Sequence, residues 1–437
     1  MIGSLPGLED LERWLDLDGA RVLLRADLNV PLRTLESDNG SHEGSGQELE
    51  VEDDFRIRAV LPTLNWLQER GARITVCSHL GRPGGRPDKR FEMAPVRKVL
   101  KRMAPSVELM ENLRFDPGEE ANSPQFVEKL VRGHNAYVND AFGVSHRRHA
   151  SIMGPPLILP SAAGRELERE VAVLSGLLDH PLRPFVAVVG GAKVGDKLGV
   201  LRSLSRLVDT LVIGGGMAFT FLAALGHEVG DSLVEQDRIA DCQELIRSGK
   251  RVVIPLDVVA LDPQGRVGPD GDGTGKVIVV GRDIPPGWRG LDIGPQSASQ
   301  VQAEIARAAT VFWNGPMGVF EDDRFAGGTA ATAAAVGSTK AFTVVGGGDT
   351  ASALERFGVV DRIDFISTGG GASLCMLEHG DLPGLEALRE SARRMRGSIH
   401  ECTIEKALPV ERVAAVAHTS KNVPAGKRKN LGAKRGG

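Results

Sequence analysis

The stretch FVAVVGGAKVGDKLGVLRSLSRLVDTLVIGGG, residues 185–216, decides the fold. Its first five residues, FVAVV at 185–189, are apolar without a break, as in a strand covered on both faces. Gly190 and Gly191 end the run, and Lys193 and Lys197 follow where strand gives way to helix. Val194, Leu198, Leu201, Leu204 and Val208 then recur at helical spacing. A second apolar run, LVI at 211–213, closes on Gly214, Gly215 and Gly216. Strand, helix and strand in this order make a crossover between parallel strands, so a parallel sheet with helices on both faces is expected.

The same scheme extends in both directions. VVI at 252–254, TVFW at 310–313, FTVV at 342–345 and DFIS at 364–367 read as further strands of the second half. The first half offers Val22–Leu24, Ile74–Cys77, Val107–Leu109 and Tyr137–Val138. Between the first two of these, Phe55, Ile57, Val60, Leu61, Leu64 and Leu67 predict a helix over about Asp54 to Arg70. The halves meet in GRELEREVAVLSGLLDHPLRPF, where Leu167, Val171, Leu174 and Leu178 keep helical spacing until Pro181 and Pro184 stop it. The expected fold class is α/β: two doubly wound, Rossmann-like parallel-sheet domains joined by a hinge helix. Ligands of such sheets bind outside the carboxyl ends of the strands, so two domains sharing a cleft suit two substrates.

Composition narrows the function. A chain of 437 residues with 41% hydrophobic and 25% charged residues is an ordinary globular one. The net charge of -4 argues against bulk nucleic-acid binding, so any anion site must be a local cluster of cations. Cys77, Cys242, Cys375 and Cys402 are scattered without a CxxC pair, which suggests neither a metal site nor a disulfide framework. The acidic opening MIGSLPGLEDLERWLDLDG does not read as a secretory signal, and no apolar stretch reaches the ~18 residues that span a bilayer. A cytoplasmic protein is expected.

Cations gather at the strand ends of the first half. Arg56 opens the predicted helix, His79 and Arg82 follow a strand in RITVCSHLGRPGGRP, Arg114 sits in ENLRF and Arg147 in VNDAFGVSHRRHAS. Asp27 and Asn29 in RADLNVP can accept hydrogen bonds from hydroxyls. Any one arginine in a turn is more often a solvated or ion-paired residue. Together the set suits a small phosphorylated acid, because guanidinium groups pair donors with phosphate and carboxylate.

The second half has no GxxxxGK[ST] loop. It has three glycine-rich turns opening helices, in VVGGAKVGDKLG, VVGGGDTASAL and STGGGASL, which can aim backbone N–H groups at phosphate oxygens. Each run alone could equally let a helix pack close to a strand. Asp349 can hold Mg²⁺ by one oxygen. On these residues alone the chain reads as a two-domain phosphate-transferring enzyme.

Ten stretches carry a resemblance. RADLNVP, DDFRIRAVLPTL, SHLGRP, ENLRFDPGEE, YVNDAFGVSHRRHAS, VVGGAKVGDKLG, LVIGGGMAFTFL, WNGPMGVFE, VVGGGDTASAL and STGGGASL, with LPGLEAL behind them, strongly resemble the phosphoglycerate kinase family in order and content. They cover about Leu23 to Leu388. The resemblance implies reversible phosphoryl transfer between ATP and the carboxylate of 3-phosphoglycerate, with Mg²⁺, on two lobes that close about a hinge. It implies an acid-binding set of Asp27, Asn29, Arg56, His79, Arg82, Arg114 and Arg147. For the nucleotide it implies Lys197, Gly215, Asn314, Glu321, Gly347, Gly348, Asp349 and Thr350, with Asp349 on the metal. Arg56, Lys193, Gly370 and Gly371 would clamp the group in transfer.

The implied division is an acid domain at 1–165, a hinge helix at 166–182, a nucleotide domain at 183–372 and a return segment at 373–394. A basic extension at 395–437 follows, expected to be disordered. A monomer without membrane or nucleic-acid partners is expected. The sequence departs from the family in the polar insertion Arg33–Glu52, in Gln296 where a lysine is common, and in the tail ending SKNVPAGKRKNLGAKRGG. That tail leaves a second reading, a homologue with a nucleic-acid-binding or scaffolding role.

Overall fold

Alternation along buried strands organises the molecule. The structure, a computed structural model, describes residues 4–34, 49–268 and 271–407, with side chains to 397. In the first half the strands are β1 (Arg21–Ala26), β2 (Leu32–Thr34), β3 (Leu49–Val51), β4 (Arg73–Cys77), β5 (Glu108–Leu109), β6 (Ala136–Asp140) and β7 (Ser161–Ala163). Five of them form a wholly parallel sheet in the order β5-β4-β1-β6-β7. Val22, Leu24 and Ala26 point into one apolar cluster while Leu23, Cys77 and Tyr137 point into another, the period of two that a strand dictates.

The second half supplies β8 (Phe185–Val189), β9 (Thr210–Ile213), β10 (Arg251–Val253), β11 (Val258–Leu261), β12 (Val277–Val280), β13 (Arg289–Ile293), β14 (Thr310–Asn314), β15 (Phe342–Gly346) and β16 (Phe365–Ser367). Six make a second parallel sheet, ordered β10-β9-β8-β14-β15-β16. In each sheet the chain first builds one way from a central strand and then the other. The reversals fall between β1 and β6 and between β8 and β14, the places where open sheets leave a crevice.

Several elements differ from expectation. The helix foreseen over Asp54–Arg70 is interrupted at Val60 into Phe55–Ala59 and Leu61–Glu69, where Pro62 removes a backbone donor. Phe55, assigned to its apolar stripe, is half exposed. The ends of the polar insertion, which the sequence suggests as a surface loop, pair instead: Leu32–Thr34 runs antiparallel to Leu49–Val51, and 35–48 lies outside the described residues. An antiparallel sheet, β12-β11-β13, was not foreseen. Nor was β7, whose Ser-Ala-Ala sequence has no strand signature.

The linking helix runs Arg165–Asp179 and buries Leu167, Val171, Leu174 and Leu177, the last where the sequence suggested Leu178. Those side chains belong to one cluster with Leu23 and Tyr137 of the first sheet and Phe185, Ala187 and Val189 of the second. Asp140, at the end of β6, accepts from the N–H groups of Glu166 (2.9 Å) and Leu167 (3.1 Å). It thereby caps the first turn, whose donors have no partner within the helix.

After the second sheet the chain returns to the first: Gly384 N–H donates to Ser145 O (2.9 Å) and Ser391 Oγ to Leu159 O (3.1 Å). The last described helix is Pro383–Ala407. Residues 408–437, with most of the basic tail, lie outside the described residues. Among the described residues no helix is long and apolar enough to cross a membrane.

Candidate functional site

Two clusters of side chains stand at the carboxyl ends of the two parallel sheets. On the first sheet, the loops after β1 and β4 are laced together. Leu28 N–H donates to Ser78 Oγ (2.9 Å), Ser78 Oγ donates to Ala26 O (2.8 Å) and Gly81 N–H donates to Asn29 Oδ1 (2.8 Å). Asp27 Oδ2 lies 2.5 Å from Arg56 Nη1. Burial acts to raise the pKa of Asp27, and the positive fields of Arg56 and Arg25, with the bond from Asn29 N–H, outweigh it, so the carboxyl is held below its ordinary value.

Arg114 is buried. Its Nη1 donates to Gly81 O (2.8 Å) and its Nε faces Glu120 at 3.2 Å. His149 reports the local field: burial first, then Arg114, Arg147 and Arg25, push its pKa down to about 4. Arg147 is half-buried, whereas Arg82 and Asn29 are exposed. His79 is buried, with Arg25 Nη2 at 3.2 Å from its Nδ1. The expected acid-binding residues thus share one loop cluster, with Arg82 at its open edge.

On the second sheet, backbone rather than side chains shapes the cluster. Lys197 Nζ donates to Gly190 O (2.7 Å), Asn314 Oδ1 (2.6 Å) and Asn314 O (3.2 Å), tying the ends of β8 and β14 across the reversal. Burial lowers its pKa to about 8, against the pull of Asp349 and Asp196. All three of its donors are therefore spent on the protein. Asn314 Nδ2 donates to Gly346 O (2.6 Å), and Gly315 N–H donates to the buried Thr350 Oγ1 (2.7 Å).

Gly215 has φ 66°, and a Cβ there would fall 2.5 Å from Gly191 N. Gly347, at φ 96°, caps the helix Gly348–Arg356 and would set a Cβ 2.9 Å from Asn314 Nδ2. A cavity of about 450 Å³ opens here, lined by Gly191, Gly215, Phe219, Pro316, Glu321 and Asp349. Asp349 and Glu321 are both exposed. Lys193 is exposed too and lines neither this cavity nor the next.

The two clusters meet. Arg56, bonded to Asp27 on one side, donates from Nη2 to Thr368 O (2.9 Å) on the other. Thr368 opens the turn that leads through Gly370, at φ 49°, into the helix Gly371–His379. A second cavity, about 280 Å³, lies between Val30, Phe55 and Arg56 of the first half and Gly347, Gly348 and Gly370 of the second.

The turn is held from behind by Glu170 of the linking helix. Its carboxyl accepts from Thr368 N–H (2.6 Å), Thr368 Oγ1 (2.8 Å) and Ser367 Oγ (2.7 Å). Full burial raises its pKa to about 7, and the bonds from Ser367 and Thr368 offset only part of that. Sequence reading missed Arg25, Thr368 and Glu170. Arg25 was in view in RADLNVP but sat inside a strand. Glu170, three after Leu167 and four before Leu174, falls on the apolar face of the linking helix, and that placement was the available signal.

Asp349 was expected on Mg²⁺, and the described residues hold no group of three or more His, Cys, Asp or Glu suited to a metal. Asp349, an exposed carboxylate on the rim of a cavity that Glu321 also lines, fits a Mg²⁺ that arrives with a nucleotide, since that ion is commonly held by one or two carboxylates plus phosphates.

Comparison with known proteins gives the family. The family model described as phosphoglycerate kinase matches residues 11–108 and 103–380. A phosphoglycerate kinase of Rubrobacter xylanophilus is 46% identical over 402 residues, 86% of this chain and 97% of that protein. One of Roseiflexus castenholzii is 44% identical over 409 residues, 87% of this chain and 98% of its own length. The solved phosphoglycerate kinase of Coxiella burnetii superposes with a TM-score of 0.76 at 34% identity, covering 89% of this chain and 99% of its own.

Proposed function

The chain belongs to the phosphoglycerate kinase family and is a phosphotransferase, and from that premise we propose how its residues divide the work. Residues 1–165 bind 3-phosphoglycerate, 183–372 bind ATP or ADP, and 166–182 are the hinge about which they close. Arg82, Arg114, Arg147 and His79 hold the acid's phosphate end, with Asp27 and Asn29 on its hydroxyl. Gly215, Asn314, Glu321 and the turn Gly347–Thr350 seat the nucleotide, and Lys197 keeps that seat in shape. Asp349 would hold Mg²⁺ against the nucleotide's phosphates, and the ion would supply positive charge to the oxygens of the group in transfer.

The nucleophile is the acid's carboxylate, whose ordinary pKa near about 4 leaves it ionised at neutral pH, so no general base is required. Its oxygen bonds to the terminal phosphorus as the bond from that phosphorus to the ADP oxygen breaks. No proton moves in the step. The difficulty is one anion approaching another. Arg56, Lys193 and the N–H groups of Gly370 and Gly371 offset it by facing the equatorial oxygens. Closing the lobes excludes the water that would otherwise take the phosphoryl group. We further infer a monomer working in the cytoplasm.

The observation that carries this reading is Arg56, bonded at once to Asp27 of the first cluster and to Thr368 O at the phosphate-facing turn of the second. The test is a coupled assay with 3-phosphoglycerate and MgATP on the full chain and on one ending at residue 394. Turnover that needs both substrates and survives the truncation is the expected result. Absence of turnover in both proteins refutes the assignment, and loss confined to the shorter one refutes the dispensability of the tail.

A further inference from the structure

His79 stands at the end of β4 with 4% of its surface exposed, and the donors around it can be assigned one by one. Arg25 of β1 is fully buried. A guanidinium has five N–H donors and no acceptor, so any polar atom it meets must accept. Its Nε donates to Ser151 Oγ (3.0 Å), its Nη1 to the carbonyl of Ala26, and its Nη2 to His79 Nδ1 (3.2 Å). Ser151 Oγ lies 2.6 Å from Glu119 Oε1 and Ser151 N–H lies 2.9 Å from Glu119 Oε2. The hydroxyl therefore accepts from Arg25 and gives its own proton to Glu119, which is itself fully buried. Positive and negative charge are thus joined through one serine. The chain of bonds has a single direction and ends with the Nδ1 lone pair of His79 occupied. Nε2, which has no protein partner among the described residues, must carry the ring proton.

We infer that Arg25 is a positioning residue for the acid side: it fixes His79 as a neutral imidazole whose sole donor, Nε2–H, is offered to an oxygen of the substrate. An unconstrained imidazole near neutral pH is a mixture of two tautomers and a cation, and it changes charge near about 6.5. Such a mixture would make part of the acid affinity vary with pH. The charged groups facing His79 are Asp27, Arg25, Arg114 and Arg56. Burial and the three arginines disfavour the cation, and Asp27 alone favours it. Arg25 touches no substrate in this arrangement and acts only through the ring. The inference rests on the acid-binding role of His79 proposed above.

The test begins with a long-range proton–nitrogen spectrum of the full-length wild-type protein. His79 should show an unprotonated Nδ1 and a protonated Nε2, unchanged between pH about 5.5 and 8. A protonated Nδ1, or a ring that titrates in that interval, overturns the inference. The second arm is a double-mutant cycle on KM for 3-phosphoglycerate at saturating MgATP. Arg25→Met should raise KM about tenfold with kcat within about twofold, and should cost under about twofold when His79→Ala is already present. Arg25→Lys, which keeps the charge and an N–H donor group without the guanidinium fork, should recover part of the loss. Equal costs in both backgrounds would mean that Arg25 does not act through His79. Where Arg25→Met does not fold, the wild-type spectrum decides. A chain that shows the expected tautomer yet does not turn over 3-phosphoglycerate would refute the proposed function and leave the ring assignment standing.

Discussion

The two strand-end clusters are shaped by different physics. On the first sheet three of the cations are side chains that already have protein partners: Arg56 on Asp27, Arg114 on Gly81 O and Glu120, Arg25 on Ser151 and His79. On the second sheet the shape comes from backbone at Gly191, Gly215 and Gly347, and the lysine that does have partners, Lys197, is fully occupied. One side is preorganised by paying for buried charge with hydrogen bonds. The other is preorganised by glycine, which lets backbone approach where a Cβ would collide. A change on the first side should therefore act through charge, and one on the second through space.

The largest expected effect tests the lysine proposed to face the group in transfer. Lys193 is exposed and pairs with no carboxylate among the described residues, so its charge is available to a group in transit. Lys193→Met should lower kcat by about 10²–10³ while KM for the acid stays within about twofold, as for loss of an interaction made only in the transition state. Steady-state kinetics with an unchanged kcat would remove Lys193 from the clamp.

A smaller effect tests the steric side. Gly215→Ala sets a methyl group 2.5 Å from Gly191 N and 2.6 Å from Gly191 O, at a φ of 66° that alanine tolerates poorly. Affinity for nucleotide should fall about tenfold to a hundredfold, corresponding to about 1.4–2.8 kcal/mol. Binding of 3-phosphoglycerate, measured by calorimetry, should be untouched. If both affinities fell together, the two clusters would not be separable.

The smallest effect concerns the support they share. The carboxyl of Glu170 has its pKa raised from an ordinary 4.5 to about 7, chiefly by burial. The folded chain thus holds that proton more tightly than the unfolded one. The associated stability is fully present below about pH 4.5 and is lost as pH rises through about 7. Glu170→Gln removes this dependence. The difference in Tm between variant and wild type should move in the variant's favour by a few degrees from pH 5 to pH 8. A constant difference across that range would show that Glu170 does not titrate there.

How much of this could be read beforehand depended on the range of the forces involved. The strands of both parallel sheets were legible because burial on two faces leaves unbroken apolar runs such as FVAVV. Ser161–Ala163 was not, since small residues make a strand only when a neighbour supplies the edge, here β6. The sheet β12-β11-β13 was hidden for the same reason: its antiparallel partners are set by long-range pairing. In the site, glycines and exposed cations stood out by residue type. Arg25 and Glu170 did not, because nothing local distinguishes a buried, satisfied charge from a solvated one.

The chain's own order of residues determined that there would be parallel sheets, glycine turns at their carboxyl ends and a cationic set apart from a glycine-lined one. Those features follow from periodicity and from what each residue type can do within a few positions of itself. Tertiary structure alone decided that Arg56 would reach Thr368, that Glu170 would hold that turn from behind, and which nitrogen of His79 would carry its proton. Each of these joins residues tens to hundreds of positions apart, and a hydrogen bond exists only once folding has placed both ends within about 3 Å.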